Sequence, residues 1–186
     1  MSDGQGITVS EWHTMSEAAG GGILRELLDG DPVVRAPMTP AHADCVVRIH
    51  QLVESRIGED AVTQMHRPIV LDPRSETRPD IAVLARPEHR TAGSHALLLV
   101  IEVADSSHGL IYGRGRKAAY YARCGVADCW IVDLLGQQVL VHSSPASGGY
   151  REIRNLRRGA TLSPSSLPNV NVTVDEVLGV AGPAPE

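Results

Sequence analysis

The stretch LLLVIEVA, residues 97–104, limits the possible folds more than any other part of the chain. Leu97, Leu98, Leu99, Val100, Ile101 and Val103 make a nearly unbroken apolar run, the pattern of a strand covered on both faces. Such a strand belongs inside an α/β domain, with other elements packed above and below its sheet. Yet the run carries one acid, Glu102. Taking a carboxylate out of water costs several kcal/mol unless a partner meets it. The strand therefore demands a cation beside Glu102, supplied by the protein or bound to it.

The rest of the chain alternates helix and strand signals. TVSEWHTMSEAA, with Thr8 or Ser10 as N-cap, predicts a short helix stopped by Gly20, Gly21 and Gly22. ILRELLDGDPVVRA holds two short runs about Asp29-Gly30 and predicts a hairpin. TPAHADCVVRIHQLVESRIG is the strongest helix, with Pro40 early, an apolar stripe of Ala43, Val46, Val47, Ile49, Val53 and Ile57, and Gly58 as its stop. Strands are expected at HRPIVL, DIAVLA and ALLLVIEVA. A polar, glycine-rich loop then leads into the helix RKAAYYARCG. DCWIVDL and QQVLVHSS read as strands and SPASGGY as a turn. TLSPSSLPNVNVTVDEVLG predicts a short strand and a helical turn, and Pro183 and Pro185 mark a frayed end. The order predicts one α/β domain over residues 1–186, with a core over about 22–179.

Charge and cysteine content narrow the class of protein. The three cysteines, Cys45, Cys124 and Cys129, form no CxxC pair and suit a reducing compartment. The N-terminus lacks a basic stretch followed by an apolar one, and no apolar run reaches the roughly 20 residues of a membrane span. A soluble, cytoplasmic chain without a membrane partner is expected. The net charge of −5 argues against a uniformly basic surface for coating nucleic acid. Two local runs are nonetheless basic: RGRKAAYYAR holds four cations and no acid, and REIRNLRR four cations and one acid. Either run is a solvated face or a local attractor for phosphate.

The candidate site follows from Glu102. Asp80 heads the strand DIAVLA, one strand earlier, so the two carboxylates can converge at one sheet end. Close carboxylates repel unless one is protonated or a cation lies between them. Hard oxygen ligands suit Mg²⁺ or Mn²⁺. Lys117 is the only lysine beside sixteen arginines, and a compact ammonium does work that a guanidinium fork does not. The alternative makes Asp80 a strand-end turn residue and pairs Glu102 with an arginine.

TRPDIAVLA, LLLVIEVADSS and YGRGRKAAYYARCGVADCWIVDL, in this order and spacing, resemble the large bacterial Uma family, named for restriction endonucleases, within the PD-(D/E)xK nuclease superfamily. RELLDGDPV is similar to that family's ELIDG hairpin and TPAHADCVV to its SPxH helix start. GGYREI and LSPSSLPNVNVTVDEVLG are similar to its last strand and tail. The resemblance covers roughly residues 8–179 of a chain of ordinary single-domain size. It implies a restriction-endonuclease-like core with a mixed central sheet flanked by helices. It also implies metal-dependent phosphodiester hydrolysis of nucleic acid, with DNA the expected substrate. Asp80 and Glu102 match the two metal-binding acids, and the backbone carbonyl of Val103 is the expected third ligand of Mg²⁺ or Mn²⁺. The superfamily's usual lysine position is Ala104 here, and Lys117 matches the lysine that this family carries on the following helix. Glu26 and His42 are possible accessory residues, and Arg114 and Arg116 possible phosphate contacts. Gly113 departs from the pattern, replacing an acid, and the segment from Glu102 to Lys117 is longer than in many relatives. Tyr120 and Tyr121 read as core and rim residues of the helix. The strand CWIVDL, or the apolar strand beside it, is a possible homodimer edge. The alternative function is an inactive nuclease fold used for binding or assembly.

Overall fold

A computed structural model describes residues 6–18, 25–34, 37–87 and 96–179. Gly20, Gly21, Gly22, Pro183 and Pro185 lie outside the described residues. The chain divides into two compact units, residues 1–37 with 66–78, and residues 38–65 with 79–186. Among the described residues, no helix is long and apolar enough to cross a membrane, and all three cysteines are free.

The smaller unit contains helix α1 (Val9–Ala18) and strands β1 (Arg25–Leu28), β2 (Asp31–Val34), β4 (Ile69–Asp72) and β5 (Ser75–Thr77), in the sheet order β2-β1-β5-β4. Asp29 and Gly30 join β1 to β2 with φ of 55° and 81°. This is the left-handed pair that a two-residue hairpin requires. A Cβ on Gly30 would also stand 2.7 Å from the Gly6 backbone. Gly30→Ala is therefore expected to lower stability by roughly 1–3 kcal/mol, read as a lower denaturant midpoint. The strand expected at HRPIVL is β4, and it lies in this smaller sheet.

The larger unit is built on a six-stranded mixed sheet in the order β10-β9-β8-β7-β6-β3. Its strands are β3 (Ala61–Met65), β6 (Ile81–Ala85), β7 (Leu97–Ala104), β8 (Asp128–Asp133), β9 (Gln138–Ala146) and β10 (Gly149–Arg157). Only β7 and β8 run parallel; every other neighbouring pair is antiparallel. A parallel pair needs a crossover connection, and the segment between them is helical. Helix α2 (Pro40–Glu54) starts at Thr39, whose side chain accepts from the His42 N–H. Its buried residues are His42, Cys45, Val46, Ile49 and Val53, while Val47, expected in the stripe, is 49% exposed. The tail adds β11 (Thr161–Leu162), β12 (Val172–Thr173) and helix α5 (Val174–Leu178), the last closed by a Thr173–Glu176 capping box.

Strand periodicity assigns the two faces of this sheet. Ile81, Val83, Leu99, Ile101, Val103, Trp130, Val132, Val139 and Val141 pack with α2 and the tail into one aliphatic core. The alternate residues of the central strands, Glu102 and Ile131 among them, point to the other face.

The crossover covers that second face and corrects one expectation. Its glycine-rich start is not a loop: α3 (Ser107–Tyr112), a π-helical turn (Gly113–Lys117) and α4 (Ala118–Arg123) follow one another directly. Ser106 caps α3 by accepting from the Gly109 N–H. Gly109 lies where a Cβ would come within 3.2 Å of the Ser106 hydroxyl, and a Cβ on Gly113 would meet Ile131. Gly109 thus lets the helix lie close to its cap, and both glycines sit within helical turns rather than breaking the chain.

Candidate active site

Four sequence-expected residues, Asp80, Glu102, Lys117 and His42, come together in the larger unit, and strand register explains the first two. Ile81 pairs with Ile101 across β6 and β7. Continuing that register by one residue sets Asp80 opposite Glu102, at the end where β6 begins. Asp80 is fully buried, and its Oδ2 accepts the Val103 backbone N–H at 2.7 Å. His42, at the start of α2, brings Nε2 to 3.3 Å from Asp80 Oδ1. This histidine is itself buried.

Glu102 finds its cation in Lys117, whose Nζ lies 2.6 Å from Glu102 Oε1. Both side chains are almost completely buried. The arginine partner of the alternative reading is therefore replaced by the chain's single lysine. The π-helical turn contributes to this placement. A π turn fits one extra residue into a helix and recurs at functional positions. Here it leaves Arg114 and Arg116 exposed while Gly113 and Lys117 face the sheet.

Tyr121 is the site residue that sequence reasoning missed. Its hydroxyl donates to the same Oε1 of Glu102 at 2.7 Å, and its ring is fully buried. Lys117 and Tyr121 are four residues apart, so they share one helix face. That spacing was the available signal: a helix presenting Lys117 to Glu102 presents Tyr121 there too.

The remaining candidates fall elsewhere. Glu26 is buried in the smaller unit, where its Oε1 accepts the Arg78 N–H at 2.6 Å. Burial, with the Arg114 charge adding to it, holds the His142 imidazole of β9 below its ordinary pKa. Burial pushes the Cys45 thiol up to about 11, Arg48 opposing and the nearby Asp80 charge adding to the rise. This thiol has no nucleophilic character near neutrality.

Among the described residues, no group of three His, Cys, Asp or Glu side chains forms a ready-made metal cage. The donor set is instead two carboxylates, Asp80 and Glu102, beside the Val103 backbone at the strand end. Within a strand, the N–H and C=O of one residue point to the same side. Since the Val103 N–H points to Asp80, its carbonyl does also. Two carboxylates and a carbonyl suit a hard cation such as Mg²⁺, which keeps several waters and takes substrate oxygens as further ligands.

Comparison with known proteins agrees with this architecture. The family Uma2, described as "Putative restriction endonuclease", matches residues 11–175. A crystal structure from Anabaena variabilis ATCC 29413, titled as "a putative nuclease belonging to DUF820", shares the fold with a TM-score of 0.68 at 17% identity. That match covers 92% of this chain and 97% of the other. No curated protein matches the chain. The fold is the restriction-endonuclease-like α/β type, a mixed sheet flanked by helices, and the chain belongs to the Uma2 family.

Proposed function

We propose that this protein is a metal-dependent endonuclease that hydrolyses phosphodiester bonds of nucleic acid, with DNA as its substrate. The observation that carries the reading is the meeting of Asp80, Glu102 and Lys117 at one sheet end, each on a different element. Asp80, Glu102 and the Val103 carbonyl would hold Mg²⁺ or Mn²⁺. When bound, such an ion polarises a phosphoryl oxygen and lowers the pKa of a coordinated water. The protein's own groups supply the rest. The Val103 N–H holds one oxygen of the Asp80 carboxylate, and His42 Nε2 lies 3.3 Å from the other. Tyr121 fixes the rotamer of Glu102. Lys117 delivers a buried positive charge where negative charge grows on the phosphoryl group, and in a dry site that charge counts for more than in water. Arg114 and Arg116, exposed on the π-helical turn, would contact flanking phosphates without reading sequence.

One observation favours a second reading. Glu102 is already met by Lys117 and Tyr121, and Asp80 by Val103 and His42. An inactive nuclease fold used for binding or assembly would need no more than this. Calorimetric titration with Mn²⁺ separates the two readings. The nuclease reading expects a saturable site in the wild type and its loss in Glu102→Gln. Absence of binding in both proteins would leave only the second reading.

A further inference from the structure

The expected homodimer edge is corrected by the sheet order. CWIVDL lies in β8, and both β8 and the neighbouring β9 are paired on each side. The open edge is β10, nine residues long, with no strand of the described residues on its outer side. Long edges are usually blunted by proline, by a bulge or by uncompensated charge. β10 contains no proline and shows no register shift against β9, though Arg151 has no partner there; what marks this edge is charge, three arginines and one glutamate.

We propose that β10 pairs antiparallel with β10 of a second copy, about a two-fold axis at Ile153. In that register the strand is complementary to itself. Glu152 faces Arg154 of the other copy, twice by symmetry, and Tyr150 faces Leu156. Arg151 faces Asn155, Arg157 faces Gly149, and Ile153 meets its own counterpart. Ile153 is 58% exposed in the single chain, so this contact would cover a large apolar side chain. Moving the axis to Arg154 would set Arg154 against itself and Arg151 against Arg157, and like charges directly opposite destabilise a pair. Charge therefore excludes that register. Arg151, Glu152, Arg154 and Arg157 are all exposed, and none of the three arginines is held in an ion pair.

The pairing stands independently of the nuclease reading, but it has a consequence for it. Glu102 pairs with Ile131, Ile131 with Leu140 and Leu140 with Asn155. Paired residues share a sheet face, so both copies would open their sites on the same side of one twelve-stranded sheet. Seven strand spacings of about 4.8 Å, with a four-residue offset along the strands, would put Glu102 of the two copies roughly 36 Å apart, before twist. That is close to one turn of B-form DNA, about 34–36 Å.

The test is sedimentation across a concentration series, on the full chain without nucleic acid. The wild type is expected to form a dimer. Arg154→Glu, which faces acid with acid at both symmetric contacts, is expected to weaken it at least about tenfold. Exchanging the pair, Glu152→Arg with Arg154→Glu, is expected to restore it. Circular dichroism and Tm of the single variant should match the wild type, since both positions are exposed. A wild type that stays monomeric overturns the proposal. So does a dimer that ignores Arg154→Glu, or one that the exchanged pair fails to restore. Because Glu102→Gln leaves β10 intact, a chain without nuclease activity can still dimerise, and the two readings fail separately.

Discussion

Asp80→Asn is expected to remove nucleic-acid cleavage, by at least about a thousandfold, while leaving the fold in place. The asparagine carbonyl oxygen can still accept the Val103 N–H that Asp80 accepts at 2.7 Å. The buried hydrogen bond at the mouth of β6 therefore survives, and Tm should stay within a few degrees of the wild type. What the substitution removes is the negative charge opposite Glu102, and with it half of the carboxylate pair that would hold a hard cation. Measured together, cleavage rate and thermal melting distinguish this outcome from damage to the sheet. A variant that melts normally and still cuts at the wild-type rate would remove Asp80 from the chemistry.

Lys117→Met should be costly in a different way. It leaves Glu102 buried with Tyr121 but without the ammonium that now lies 2.6 Å away. Breaking a buried ion pair from one side typically costs about 3–5 kcal/mol. In a chain of this size that lowers Tm by roughly 10 °C. Adding Glu102→Gln removes the stranded charge, so the double variant is expected to recover a large part of the lost stability. Activity should not recover with it, because both single changes remove groups assigned to the site. The stability cycle is to be measured in EDTA, so that no metal takes the place of the ammonium. Additive stability losses would mean that Lys117 and Glu102 are not coupled in the folded protein.

How far the sequence could be read depended on what each residue pattern measures. The buried strand β7 was plain because a strand covered on both faces has to be apolar throughout, and one acid then stands out. Lys117 stood out as the single lysine, but only family resemblance placed it on the helix over the site, since that helix starts in a segment rich in glycine. Gly109 and Gly113 look like breakers in the sequence, but both lie within helical turns, and Gly109 allows close approach to Ser106. Strand β3 was not expected, because AVTQM is a short edge strand with polar residues and carries little hydrophobic signal. REIRNLRR was read as a charge run; most of it is β10, whose outer edge has no strand against it, and polar residues fill both of its faces. Arg158, counted with that run, is tied to Asp175, Gln137 and the Gly179 carbonyl and has a structural role. Tyr121 was legible in principle from its spacing to Lys117, but tyrosines on an amphipathic helix usually serve packing, and nothing local marks one as a carboxylate partner.

The most direct test of the account is incubation of the purified chain with supercoiled plasmid and single-stranded DNA in Mg²⁺, in Mn²⁺ and in EDTA, beside Asp80→Asn and Glu102→Gln. The account predicts cleavage with either metal, none in EDTA and none by the two variants. Cleavage that persists in EDTA or in both variants would contradict the assigned centre. A wild type that cuts nothing under any of these conditions would contradict the nuclease reading of this chain.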